Sequence, residues 1–405
     1  MGVEIRSVTP EELGEMGILG GYAYGGAFGD GPQSAVGKFN KPDWTLCAFV
    51  DGKLASSFAN VPFTMGANGK SVKLAGVGSI ATQPEYRRQG LVRRIHTQAL
   101  GEMREAGQNV AALWASQAAI YQRFGYAMAT VMREYAVDTQ DIRFHDGDAG
   151  SGRIARVEAD TARDVVKTVY AAFIAKRMCY LHRIAEDWVN DYLTEREGTG
   201  PVWVAVCYGS CDTARGYVIY TLRSGRVSHR ARDQELVVRD LAWLDADAYR
   251  SLWRFLACHD LVGRVRWASA PADDPAAEFF EEPRLLNAED HEGAWFRVVD
   301  AANALAERGY DLEGELTIGL ADDPLTPWND GRWHLEAGTD GARARPSKAA
   351  PDIELRSKAL ASLYTGFRSA TELSNWGLLD GDRRALAKAD ALFRTRHAPH
   401  TPDHF

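Results

Sequence analysis

No stretch of this chain holds the roughly 18–20 consecutive apolar residues that a membrane-spanning helix requires. The opening MGVEIRSVTPEELGEM has neither a basic cluster nor the apolar run of a secretory leader. Cysteine is scarce and odd in number: Cys47, Cys179, Cys207, Cys211 and Cys258 do not make a disulfide framework. Cys207 and Cys211 have no second Cys or His pair at metal spacing, so no metal is expected and the thiols read as core or incidental. Positive charge is not in excess either. A formal charge of −8 argues against a general nucleic-acid binder and suits a cationic small substrate. The expectation is a soluble, cytoplasmic protein with no nucleic-acid or membrane partner.

What is present is globular. The chain is 45% hydrophobic and 25% charged, and its 405 residues are enough for two or three domains. The pattern is mixed α/β. Its most informative stretch runs from Leu74 to Tyr126. A strand ending at Ala81 passes through a Thr82-Gln83-Pro84 turn into Arg87-Arg88-Gln89-Gly90, which opens a helix with Leu91, Ile95, Leu100 and Met103 on one face. A second strand, Val110 to Ala115, leads to Ile120-Tyr121 and a Phe124-Gly125-Tyr126 turn. A basic, glycine-containing loop between strand and helix aims backbone N–H groups and the positive helix end at one point, which is an anion site. Gly90 removes a Cβ from the approach, and Arg87, Arg88, Arg93 and Arg94 add charge. With neither Gly-Lys-Ser/Thr nor a three-glycine fingerprint, it is not a nucleotide loop of either common kind.

Elsewhere, Thr9-Pro10-Glu11-Glu12 predicts a helix start. Tyr22 to Gly31 reads as a Gly- and aromatic-rich loop, either a linker or a substrate mouth with Phe28 as wall and Asp30 as anionic contact. Asp51-Gly52 predicts a hairpin turn. The Gly-rich Asp146 to Gly152 marks a boundary. Beyond it, residues 153–290 repeat the order of elements, with Asp245 capping a helix where the first unit has its arginines. From about His291 the composition changes again.

The loop resembles the acetyl-CoA loop of GNAT N-acetyltransferases, Gln/Arg-x-x-Gly-x-Gly/Ala, with Val92 in place of the last residue. Arg-Arg-x-Gly-Leu-x-Arg followed by Ile120-Tyr121-x-Arg-Phe-Gly-Tyr is similar to the Eis (enhanced intracellular survival) subfamily. Trp-Phe-Arg-Val-Val-Asp (295–300), Pro327 to Trp333 and Leu363 to Gly366 extend the resemblance over essentially the whole chain. It implies tandem GNAT folds followed by a sterol-carrier-protein-like domain: a catalytic GNAT domain at 1–150, a degenerate GNAT-like domain that binds no cofactor at 151–290, and the third domain at 291–405. It implies acetyl-CoA as co-substrate, a homo-hexamer, and acetyl transfer to a primary amine of an aminoglycoside-like or polyamine-like molecule or a lysine side chain. An acyltransferase on a natural-product amine, and a non-catalytic CoA- or lipid-binding protein, are the alternatives.

Residue by residue, the resemblance puts the cofactor on Ile80, Ala81, Thr82, Arg87, Arg88, Gln89, Gly90, Leu91, Val92, Arg93 and Ser116. It makes Tyr121 the general acid for the leaving thiolate; a reference pKa near 10 keeps tyrosine protonated at neutral pH. By the residues alone, Tyr121 reads as a core tyrosine. No internal Glu, Asp or His stands out as a base. Family members commonly end in an aromatic residue inserted into the first domain, so the resemblance assigns that role to the α-carboxylate of Phe405. Phe28, Asp30, Ser79 and His404 are the expected acceptor contacts. Ser79 replaces a bulky aromatic and His404 an acidic residue, and both changes weaken the fit to a polycation. Tyr126 reads as structural.

Overall fold

The computed structural model describes residues 2–25, 41–145, 150–195, 199–224, 233–321 and 323–405. Their contacts divide into two units built from separated segments. One is Met1–Thr130 with Gly293–Arg396 and Asp403–Phe405; the other is Val131–Glu292 with His397–Pro402.

In the first unit, strands run in the order Val3–Arg6, Cys47–Val50, Lys53–Ala67, Ser71–Thr82, Val110–Leu113, Trp295–Val298 and Ala127–Met128. The Asp51-Gly52 turn forms as expected: both residues take positive φ (47° and 79°), and Val50 faces Lys53. Ser71–Thr82 and Val110–Leu113 are parallel and connected through the helix Leu91–Glu105. That helix buries Leu91, Ile95, His96, Ala99, Leu100 and Met103, one stripe at helical spacing, against Ala75 and Val77 of the sheet. The parallel pairing covers Leu74↔Val110, Ala75↔Ala111 and Gly76↔Ala112 and goes no further along the longer strand. Past Gly76, the edge facing Val110–Leu113 is unpaired, and this opening positions the site.

Two local expectations are corrected. The first helix starts at Leu13, not Thr9. Glu12 does accept the Thr9 N–H (2.8 Å), but it also pairs with Arg6 at 2.7 Å, which holds residues 9–12 as a turn. The Glu12 carboxyl is lowered to about 2, first by Arg6 and then by the Thr9 amide. Tyr22–Tyr24 belong to the helix Leu13–Tyr24 and not to a loop.

The strand Trp295–Val298 pairs antiparallel with Val110–Leu113 and with Ala127–Met128, so a segment distant in sequence completes the first sheet. The helix Ala301–Glu307 and a five-stranded sheet follow, with order Ala342–Pro346, Gly331–Ala337, Gly314–Leu320, Ile353–Leu355 and Leu379–Gly381. A buried guanidinium ties this part to the turn after Tyr121. Arg297 donates to the Phe124 carbonyl, to Asp323 (2.7 Å) and to Thr326 (2.9 Å). Burial acts to raise the Asp323 carboxyl, but Arg297 and the hydrogen bonds from Thr326 and the Leu325 amide together bring it below its ordinary value. Gly125, at φ 78°, makes room: a Cβ there would sit 2.0 Å from Arg297 Nη1. Gly125→Ala therefore both strains the backbone and displaces a buried ion pair. The expected cost is about 3–5 kcal/mol of stability, read as a lower midpoint in urea unfolding with unchanged m.

In the second unit the sheet order is Glu289–Glu292, Val131–Asp138, Val262–Ala270, Gln234–Trp243, Ala214–Arg223, Val202–Tyr208 and Arg153–Val157. Gln234–Trp243 and Val262–Ala270 are parallel and linked by the helix Ala246–Ala257, the same strand–helix–strand order as in the first unit. Here the helix end is capped by Asp245, whose carboxylate accepts from the Ala248 N–H at 2.8 Å. A fixed anion thus stands where the first unit exposes donors.

Candidate active site

The helix Leu91–Glu105 has Gly90 at its N-cap in the left-handed region (φ 79°) and no capping side chain. The first-turn amides of Leu91, Val92 and Arg93 have no acceptor within the helix, and they face a cleft of about 780 Å³. The cleft is lined by Ile80, Ala81, Thr82, Arg87, Arg88, Gly90, Leu91, Val92, Arg93, Ser116 and Tyr121, so ten of the expected cofactor residues and the expected acid come together. Gln89 is not in the lining; its amide donates to the Glu85 carbonyl at 3.0 Å and closes the turn. Arg87 Nε donates to the Thr82 carbonyl at 3.1 Å, which fastens the loop to the strand end. Arg88, at φ 63°, and Arg93 have no carboxylate partner among the described residues. Val92 also packs against the core beneath the helix, which absorbs the bulk of the unexpected side chain.

At the other end of the cleft the strand is bulged. The register shifts between Ser57 and Ala59, and Ser79 sits at φ 50°. Ser57 Oγ bridges the bulge, donating to the Ser79 carbonyl (2.8 Å) and accepting from the Ala81 N–H (3.2 Å). The Ala81 amide is therefore engaged within the protein, and the Ile80 carbonyl accepts from the Tyr24 hydroxyl at 2.7 Å. Tyr24 and Ser57 are not marked out by sequence. Tyr24 is one polar tip on a helix, and hydroxyls in a strand have no pattern to distinguish them.

Tyr121 is buried to 4% exposure with its neighbours Leu91 and Phe124. Burial pushes its hydroxyl up to about 12; the Tyr24 phenol adds to the shift and a hydrogen bond with Ser116 works against it. It stays protonated throughout the neutral range. His96, the one histidine in the core under the cleft among the described residues, is a packing group. It stacks on Phe124 at 4.3 Å, its Nδ1 meets the Val92 carbonyl at 3.1 Å, and burial lowers it to about 4. A carbonyl can only accept, so Nδ1 carries the proton. Tyr126 is fully buried, its hydroxyl unpartnered among the described residues, and it does not line the cleft.

The last residues lie on the face of Ser71–Thr82 opposite the helix. The Phe405 ring packs on Phe63 with centroids 5.0 Å apart. A Cβ at Gly76 would come within 3.0 Å of the Phe405 ring, and one at Gly78 within 3.7 Å of its carboxyl carbon and oxygen. His404 stacks on Trp114 (3.8 Å, 20°), and Trp114 Nε1 donates to the Asp403 carbonyl at 3.1 Å. Alternating glycines in a strand were the available sequence signal for this close approach. Phe28 and Asp30 lie outside the described residues.

Comparison with known proteins agrees with this arrangement. Residues 4–129 match an acetyltransferase (GNAT) domain, residues 179–298 a second acetyltransferase (GNAT) domain, and residues 301–402 a sterol carrier protein domain. N-acetyltransferase Eis of Mycobacterium tuberculosis is 31% identical over 327 residues, covering 79% of this chain and 77% of that protein. The chain belongs to the Eis family of N-acetyltransferases. An uncharacterised N-acetyltransferase of Streptomyces avermitilis is 29% identical over 380 residues, 90% of this chain and 89% of the relative. The crystal structure of Eis1 from Mycobacterium abscessus is 26% identical with TM-score 0.85, covering 99% and 100% of the two chains. The α/β architecture of tandem GNAT folds and a sterol-carrier-like part is thus that of the family. As a GNAT-type acetyltransferase, this Eis-family member uses acetyl-CoA. The residues present fit that donor: an uncapped helix end, Gly90 and unpaired guanidinium groups suit a pyrophosphate. No helix of the described residues is long and apolar enough to cross a membrane.

Proposed function

We propose that this Eis-family enzyme transfers acetyl directly from acetyl-CoA to a primary amine of a cationic small molecule, aminoglycoside-like or polyamine-like, or to a lysine side chain, in a ternary complex. By family resemblance it works as a cytoplasmic homo-hexamer. The observation that carries the reading is the seating of Phe405 over Gly76 and Gly78 of the strand that also forms the cofactor cleft. It supports an α-carboxylate near the thioester end, where among the described residues no internal carboxylate lines the cleft.

In this scheme the loop Arg87–Arg93 holds the pyrophosphate and the bulged strand end at Ile80–Thr82 orients the pantetheine arm. The amine enters on the tail side, guided by His404 and the backbone around Ser79. The Phe405 carboxylate, a weak base with a reference pKa near 3.5, accepts the ammonium proton through water or orients the amine as that proton leaves. Nitrogen attacks the thioester carbon, the C–S bond breaks, Tyr121 gives its proton to the departing thiolate, and the proton that nitrogen loses on becoming an amide passes to water, from which Tyr121 is reprotonated. Net negative charge of −8 draws the cation in.

Thiol release from acetyl-CoA is the measurement. A panel of one aminoglycoside, spermidine and a lysine peptide is expected to give amine-dependent release with at least one member. CoA binding without release by any amine would leave a binding protein and sink the catalytic reading.

A further inference from the structure

A larger cavity of about 1020 Å³ adjoins the cofactor cleft within the same unit, and Arg93 and Arg123 line both. It is walled on one side by the turn after Tyr121 and on the other by the sterol-carrier-like part, through Arg356, Ser357 and Lys358. The two sides are joined: Lys358 Nζ donates at 2.7 Å to Oε1 of Gln122, whose chain neighbour Arg123 lines the same cavity. Six cationic side chains line the cavity against three carboxylates, Asp323, Glu354 and Asp380; Asp323 is paired with Arg297 and Arg368 with Glu372, which leaves five cations against two carboxylates. On a chain of net charge −8 this is a local reversal of sign. Arg93 and Arg123 have no ion-pair partner among the described residues.

This inference rests on acetyl-CoA lying in the cleft as proposed above. With the thioester toward Tyr121 and the pyrophosphate at the helix end, the chain of the cofactor leaves the loop past Arg93. We infer that the 3′-phosphorylated adenosine of the CoA enters this second cavity, and that Arg123 and Lys358 hold its 3′-phosphate. The sterol-carrier-like part is then one wall of the cofactor site. A 3′-phosphate adds close to two negative charges beyond the pyrophosphate, and a Lys–Arg pair is a natural receiver for it.

Calorimetric titration with CoA and with 3′-dephospho-CoA tests this without requiring turnover. The full-length protein is expected to bind CoA roughly tenfold or more tightly than the dephospho compound, one good charge-assisted contact. Lys358→Ala and Arg123→Ala are each expected to weaken CoA several-fold while leaving 3′-dephospho-CoA unchanged, and Lys358→Arg to restore the preference. Equal affinity of the unaltered protein for both ligands would overturn the inference while leaving the acetyl-CoA reading intact. So would a Lys358→Ala variant that weakens both ligands alike, since that is a structural effect. Failure to bind either ligand would overturn the reading of the cleft, and this inference with it.

Discussion

Removing Phe405 is expected to lower kcat by about 10²–10⁴-fold while the affinity for acetyl-CoA stays within about threefold, the range set by loss of a positioned proton acceptor. The expectation separates two properties of the residue. Its ring fills the space over Gly76 and packs on Phe63, whereas its carboxyl lies over Gly78. A protein extended by one glycine after Phe405 keeps the ring and moves the carboxylate. If the carboxylate acts, the extended protein is about as impaired as the truncated one, because the peptide carbonyl left at residue 405 carries no charge. If the ring alone matters, the extension is tolerated. Full turnover in the extended protein would overturn the assignment of the base. Binding of acetyl-CoA, followed by calorimetry, is the control: none of the tail residues lines the cofactor cleft.

Tyr121→Phe is expected to reduce kcat about 10²-fold with little change in KM for acetyl-CoA, the usual size of a lost general acid. The ring is buried in the core with Leu91 and Phe124, so phenylalanine keeps the packing and removes only the hydroxyl. The pH profile carries a second test. Burial pushes the Tyr121 hydroxyl up to about 12. The acid is therefore still protonated at pH 10, and the wild-type rate is expected to rise with pH as more amine loses its proton, without an alkaline fall below pH 10. A falling limb between pH 8 and 10 that disappears in Tyr121→Phe would mean that the hydroxyl titrates far lower than its surroundings imply. A variant with wild-type kcat at all pH values would remove Tyr121 from the mechanism.

Much of the local structure was legible along the chain because its causes are local. The helix over Leu91–Glu105 follows from apolar residues recurring at helical spacing after an arginine-glycine loop. The hairpin at Asp51-Gly52 follows from two residues that tolerate positive φ, and the helix after Asp245 from a carboxylate able to accept an amide of the first turn. The helix predicted at Thr9 starts four residues later because Glu12, while accepting the Thr9 N–H, is also tied to Arg6, which holds residues 9–12 as a turn. The bulge at Ser79 was equally hidden, since it depends on Ser57 of the neighbouring strand supplying the bridging hydroxyl.

The sequence by itself determined the family, the α/β class and the donor chemistry of the loop, because spacing, glycine placement and charge act within a few residues. Tertiary structure decided everything that needs two distant segments to meet. The strand Trp295–Val298 is short, with one charge, Arg297, among apolar residues; that it completes the first sheet beside Val110–Leu113 is a matter of which edge remains open. Gly76 and Gly78 signal that something approaches the strand closely, but only the fold shows that it is Phe405. Lys358 is one lysine among several until the fold has it donate to Gln122 and line one cavity with Arg123. Hydrogen-bond register and close packing are properties of pairs of segments, and a single strand or side chain carries no record of its partner.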